Sequence, residues 1–280
     1  MNILLPTDFS DNAWNALEYA LGYFQFTSCT FHLLHVDHQY GFSGGNMAYY
    51  PSHNLVEKSI SGSTKHTLHE LLPKIKANPL SSKHQFVTAN EQGSLVDVLR
   101  SYTKRNNISM IVMGTKGASG LKKLIVGSNT ANVITKVPCD TLIVPEQASF
   151  KPLDEIAFPT DFSVQYNLSI LQTISNMVKT YHASLSVLHI SKSKTELNNE
   201  QLRSKALLGD IFDDLPHNFY FLTNPHVEEA VECFVESRNI DIIVMVAKNL
   251  NYFQKLLFQP VVERISYHTT IPFLVLHESK

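Results

Sequence analysis

The chain has 280 residues, 44% of them hydrophobic and 17% charged, with a formal net charge of -2. That length accommodates one large domain or two of ordinary size, each able to bury a core, and the charge lacks the basic excess that nucleic-acid binding demands. No apolar run approaches the ~18 residues of a membrane helix, and the start "MNILLPTDFSD" lacks the basic, then apolar, pattern of a secretion signal, so the expectation is a cytoplasmic protein with neither nucleic acid nor membrane as partner.

Apolar runs alternate with helical patterns along the first half. The spacing predicts a strand over 2–6, a helix over 12–24 and a strand over 30–36. The segment "HQYGFSGGNMAYYPS", residues 38–52, follows with the composition of an adaptable lid. A helix near 55–76, a strand over 85–89, a helix over 95–105, a strand over 109–113, a helix over 129–136 and a strand over 141–144 complete the half. Such alternation predicts an α/β fold, a parallel sheet covered by helices on both faces, with ligands outside the carboxyl ends of its strands. Cys29, Cys139 and Cys233 are scattered and contain no C-x-x-C pair, which fits reduced thiols rather than a disulfide framework or a zinc site. Pairs such as His35 with His38 and His66 with His69 lack a third ligand, so no metal site is expected.

The chain also repeats itself. "LLPTDFSDNAWNAL" at 4–17 returns as "AFPTDFSVQYNLSI" at 157–170, with Pro-Thr-Asp-Phe-Ser unchanged. "FHLLHV" at 31–36 corresponds to "LSVLHI" at 185–190, and "ISMIVMGTKG" at 108–117 to "IDIIVMVAKN" at 240–249. The order is kept at whole-domain spacing, which predicts two homologous halves, 1–146 and 152–280, with "EQASFKPLD" as the short linker.

Within "MGTKGASGLKKLIVGSN", residues 113–129, Gly114 and Gly117 follow the strand "ISMIVM", and Gly127 with Ser128 precedes the helix "NTANVITK". Phosphate oxygens need backbone N–H donors they can approach closely. Glycines permit that approach as well as positive φ, and a helix start adds free N–H groups and the positive end of its dipole. Ser128 reads as the N-cap. The segment fits neither G-x-x-x-x-G-K-[ST] nor G-x-G-x-x-G. Tight turns alone would account for the glycines, but not for the nine-residue gap followed by serine.

The arrangement G-x-x-G-(x9)-G-[ST] after "IVMG" resembles the ATP-binding signature of the universal stress protein family. The resemblance covers essentially the whole chain as a tandem pair, with "LLPTDFS" similar to the family's opening strand and acidic residue and "CDTLIVP" to its closing strand. It implies two tandem open parallel-sheet domains, Rossmann-like and similar to the adenine nucleotide alpha-hydrolases. It also implies ATP as ligand, with or without Mg²⁺. By that resemblance Pro6, Thr7, Asp8 and Val36 line the adenine and ribose end, while Met113, Gly114, Gly117, Gly127, Ser128, Asn129 and Thr130 hold ribose and phosphates. Lys116, with Lys122 and Lys123, either neutralises phosphate charge or is solvated. Asp8 has two compatible readings, a ligand carboxylate and, with Ser10, the cap of the helix that follows.

Ungapped alignment of the two C-terminal parts sets Val246 opposite Gly114, Asn249 opposite Gly117, Gln259 opposite Gly127 and Pro260 opposite Ser128. Valine resists positive φ and proline has no N–H, so one nucleotide site is expected, in the first half. The segment "NLNYFQKLLFQPVVER" reads as a packed plug or an apolar ligand pocket. Family members pair through their last strands. Here "TLIVP" at 141–145 and "FLVLH" at 273–277 can pair within one chain, an intramolecular pseudo-dimer, while a further homodimer and protein partners stay open. The function implied is a stress-response sensor or regulatory module. The alternatives are a slow ATPase or adenylyl- or phosphoryl-transferring enzyme using Lys116 or Lys123, and an ATP-independent scaffold.

Overall fold

Ile3-Leu4-Leu5, Ile111-Val112-Met113 and Ile242–Val246 are buried on both faces of their strands, the condition a parallel sheet imposes when helices cover it on either side. The computed structural model describes residues 1–37, 68–115, 128–163, 165–193, 196–249 and 271–278. The first half supplies strands β1 (Asn2–Pro6), β2 (Thr30–Asp37), β3 (Gln85–Gln92), β4 (Met110–Gly114) and β5 (Asp140–Val144). The second supplies β6 (Glu155–Pro159), β7 (Ser184–Ser191), β8 (His217–Thr223), β9 (Ile242–Val246) and β10 (Phe273–Leu276). The helices are α1 (Asp11–Tyr23), α2 (68–76), α3 (Leu95–Arg105), α4 (Ser128–Lys136), α5 (Leu168–Tyr181), α6 (Asn199–Phe212) and α7 (Val227–Arg238).

All ten strands join one sheet, in the order β3-β2-β1-β4-β5-β10-β9-β6-β7-β8. Each half thus repeats one order, its first strand lying between its second and fourth. Pairing is parallel throughout both halves, β1 matching β2 from Asn2 opposite Thr30 to Pro6 opposite Leu34 and β4 from Ile3 opposite Met110. The exception is the seam, where β5 and β10 run antiparallel with Ile143, Leu142 and Thr141 opposite Phe273, Leu274 and Val275. These are the two runs whose pairing the sequence suggested.

On the α1 and α5 face one core runs across the seam, from Leu5 and Phe31 through Val144 and Leu274 to Phe158 and Phe212. The opposite face holds two cores, Leu4, Leu34, Leu99 and Met113 under α3, and Ile190, Val231 and Met245 under α7. Aromatic side chains lock α1 to α5. Tyr23 Oη donates to Met177 Sδ at 3.2 Å, Tyr181 donates to the Tyr23 carbonyl, and Phe150 of the linker meets the Tyr19 ring edge-on at 5.4 Å. Burial pushes all three tyrosine hydroxyls up from their ordinary acidity.

The linker is fastened at both ends. Asn15 Nδ2 donates to the carbonyls of Pro145 and Ala148, both at 3.0 Å. Buried Asp241 accepts from the N–H groups of Asp154 and Glu155 at 2.7 and 2.9 Å and pairs with Lys151 Nζ at 2.6 Å. At the seam, Asp140 Oδ1 accepts from His277 N at 2.8 Å, and burial raises this carboxyl to about 6.

Candidate functional site

The repeated Pro-Thr-Asp-Phe-Ser builds the same turn twice. Thr7 Oγ1 accepts from Phe9 N at 3.1 Å and Asp8 Oδ1 from Ser10 N at 3.1 Å; Thr160 and Asp161 bond Phe162 and Ser163 at 3.0 Å each. In both turns the phenylalanine is left-handed, with φ of 64° at Phe9 and 56° at Phe162, a conformation costing a non-glycine residue about 1 kcal/mol. A histidine holds it there. The Phe9 ring stacks on His35 at 4.7 Å and Phe162 on His189 at 5.1 Å, and each imidazole places Nδ1 on the threonine carbonyl, at 2.7 and 3.0 Å. A carbonyl only accepts, so Nδ1 carries the proton in both. The halves then diverge. His35 Nε2 lies 3.3 Å from Asp37 Oδ1, whose partner Oδ2 accepts from Asn90 Nδ2 at 2.9 Å, whereas His189 sits opposite Phe221 in an aromatic cluster with Phe162 and Phe219.

Because β1 connects through α1 to β2 on one side and lies against β4 on the other, the strand order turns back between β1 and β4, where open α/β sheets leave a crevice at their carboxyl ends. Pro6 closes β1 opposite Leu34, and the Thr7 N–H reaches the Leu34 carbonyl at 2.9 Å. Asp8 lies exposed at the mouth, its carboxylate also accepting from Ser10 Oγ. Ser10 in turn caps α1, its Oγ accepting from Ala13 N at 3.2 Å, so the capping reading of Asp8 and Ser10 is realised while the carboxylate stays at the surface. On the other side of the crevice Gly114 ends β4, and Thr130, 3% exposed, donates from Oγ1 to the Gly114 carbonyl at 3.4 Å. That contact holds the first turn of α4 at the end of β4.

Val36 is half-buried near the end of β2, Met113 buried in β4, and Asn129 exposed in the first turn of α4. Ser128 is the first described residue of that helix. Lys116, Gly117 and Gly127 lie outside the described residues, as do the 38–52 segment, most of the sequence-predicted helix before 68, and the apolar stretch 250–264 with Gln259 and Pro260.

Gly114 has a packing role of its own. Among the described glycines only Gly93 has positive φ. A Cβ on Gly114 would fall 2.7 Å from Cγ and Oδ1 and 2.8 Å from Nδ2 of Asn12, so the missing side chain makes room for an amide lying flat on the strand end. Asn12 Oδ1 is buried there without a hydrogen-bond partner among the described residues. In the second half Val246, 1% exposed, fills the equivalent space. There α5 begins at Leu168, where equivalence with α1 would place its start at 164, so one helical turn is missing. Sequence reasoning named neither Asn12 nor the His35 and Phe9 pair. The recurrence of histidine and phenylalanine in the repeated strings was the available signal for the pair.

A mostly parallel sheet covered by helices on both faces, with its strand order reversing between β1 and β4, defines an α/β protein of Rossmann-like architecture. The chain belongs to the universal stress protein family, whose model matches residues 1–145. It is similar to universal stress protein YxiE of Bacillus subtilis (strain 168), 26% identical over 145 residues, which is 51% of this chain and 97% of that one. A crystal structure of a universal stress protein from Archaeoglobus fulgidus DSM 4304 matches with a TM-score of 0.70 at 21% identity, covering 99% of this chain and 98% of that one. A putative universal stress protein from Pseudomonas aeruginosa UCBPP-PA14 matches with a TM-score of 0.57 at 13% identity, covering 98% and 92%. Both structures share the fold across nearly the full length.

Proposed function

We propose that the chain is a cytoplasmic, ATP-binding universal stress protein that works as a sensor or regulatory module, with one nucleotide site in the half 1–146 and a degenerate counterpart in 152–280. The observation that carries this reading is the convergence between β1 and β4: Asp8 at one lip, Gly114 at the other, and the first turn of α4 tied to Gly114 through Thr130. Helix-start N–H groups and the dipole attract phosphate oxygens, and a carboxylate at the opposite lip accepts from ribose hydroxyls or an amine. Pro6, Thr7, Asp8 and Val36 form the base and ribose side. Met113, Gly114, Ser128, Asn129 and Thr130, with Lys116, Gly117 and Gly127, form the phosphate side. Mg²⁺ would enter on the phosphates, since no cluster of three His, Cys, Asp or Glu able to hold a metal occurs among the described residues. The β5–β10 seam supports an intramolecular pseudo-dimer.

Titration calorimetry of the full chain with ATP, ADP and AMP, alongside mass spectrometry of nucleotide carried through purification, tests the reading. Saturable adenine-nucleotide binding at micromolar or tighter affinity is expected. Failure to bind any of the three would overturn it in favour of an ATP-independent scaffold.

A further inference from the structure

We infer that Asn12 is a ligand-contacting residue of the β1/β4 site, its Oδ1 accepting a hydrogen bond from a ribose hydroxyl of the nucleotide; this rests on the nucleotide reading above. Buried polar atoms without partners are uncommon, because an unmade hydrogen bond forfeits the full cost of desolvation. Asn12 Oδ1 is such an atom, and it lies against Gly114, the residue whose carbonyl anchors the first turn of α4. Its environment is therefore part of the crevice wall rather than the outer face of α1.

The chemistry of the atom selects its partner. An amide oxygen only accepts, so it is unsuited to phosphate oxygens and calls for a donor. An adenine nucleotide at neutral pH offers two kinds, the exocyclic amine and the ribose hydroxyls. Asn12 lies against Gly114 at the end of β4, whereas the base side of the crevice lies toward Val36 on β2, on the far side of β1. The sugar, between base and phosphates, is the part of the ligand that passes this point.

The second half supplies an independent observation. Gln165 occupies the position equivalent to Asn12, exposed and outside any helix, while buried Val246 replaces Gly114. The amide and the glycine that receives it have thus both been exchanged in the half that lacks the phosphate-binding glycines.

Calorimetric titrations of ATP, 2′-deoxy-ATP and 3′-deoxy-ATP into the full chain and into Asn12→Ala test the inference. The wild-type chain is expected to bind one deoxy analogue about tenfold more weakly than ATP, the effect of one hydrogen bond. Asn12→Ala is expected to lose about tenfold toward ATP and no longer to separate ATP from that analogue. Equal affinity of the wild-type chain for all three ligands overturns the inference without any variant. So does an Asn12→Ala protein that keeps the wild-type separation, or that weakens toward all three equally, as a phosphate contact through Nδ2 would require. Wild-type protein that binds none of the three overturns the nucleotide reading itself.

Discussion

Replacing Gly114 by alanine is expected to destabilise the protein, and the sign of the effect depends on residue 12. Gly114 ends a strand and does not have positive φ, so alanine meets no backbone penalty there; its Cβ would stand 2.7–2.8 Å from three atoms of the Asn12 amide. Overpacking of this kind typically costs 1–3 kcal/mol. Asn12 Oδ1 has no hydrogen bond to lose when the amide swings aside, which places the cost at the low end, about 1 kcal/mol, or a fall in Tm of about 2–4 °C for a chain of this size. In an Asn12→Ala background the obstacle is gone, and alanine gains from the reduced freedom of the unfolded chain, stabilising by about 0.5 kcal/mol. Thermal unfolding of the four proteins in the cycle measures a coupling of about 1.5 kcal/mol, which is the range found for residues in direct contact. Equal effects of Gly114→Ala in both backgrounds would refute the contact and, with it, the account of why glycine is needed there.

Three further outcomes are expected. A Cβ on Gly22 would lie 2.8 Å from Cβ of Phe150 and closer still to its ring, so Gly22→Ala should destabilise the chain by about 2 kcal/mol in urea unfolding, and Phe150→Ala should remove most of that difference. Burial raises the Asp140 carboxyl from its ordinary value near 3.8 to about 6, so the folded state holds the proton more tightly than the unfolded one and stability falls as pH rises through that interval. Asp140→Asn, which keeps an acceptor for His277 N, should then be more stable than wild type by up to roughly 3 kcal/mol at pH 7 and indistinguishable from it below about pH 4; a constant difference across that range would contradict the burial argument. Native mass spectrometry should count one ATP per chain, lost on changing Gly114 and Gly117 together to valine and not raised by Val246→Gly; two bound nucleotides would show that the second half binds by another route.

Local signals carried much of the fold. Helix α3 is bounded in the sequence as in the structure, Leu95–Arg105, because its apolar positions recur at helical spacing after Ser94 and before Asn106-Asn107. Strand β3 runs three residues beyond the expected 85–89, since Asn90-Glu91-Gln92 reads as polar loop. Only the pairing of those residues with His35-Val36-Asp37 on β2 keeps the chain extended. The ends of β1 and β4 were legible from the repeat and from the apolar run before Gly114. The contact of Asn12 with Gly114 was not, because it joins residues about a hundred positions apart and the asparagine reads alone as an ordinary polar residue in a first helical turn. The 3₁₀ turn Pro79–Lys83, capped by Asn78 Oδ1 on Leu80 N at 3.0 Å, was likewise hidden in what reads as a plain connection.

The antiparallel seam between β5 and β10 has a consequence for how the two halves can change over time. A strand contact between separate chains dissociates on dilution and can be exchanged for another partner. Here a short linker, pinned by Asn15 at one end and Asp241 at the other, holds the same contact at the millimolar or higher effective concentration that a short tether imposes. Each half is then assured of one fixed and non-identical companion at any expression level. Substitutions that would be eliminated in a self-pairing chain, where every change appears on both sides of the contact, can accumulate on one side alone. Because the strands reverse direction across the seam, the carboxyl ends of the strands of one half point away from those of the other, so a surface at one set of strand ends can change without meeting its counterpart.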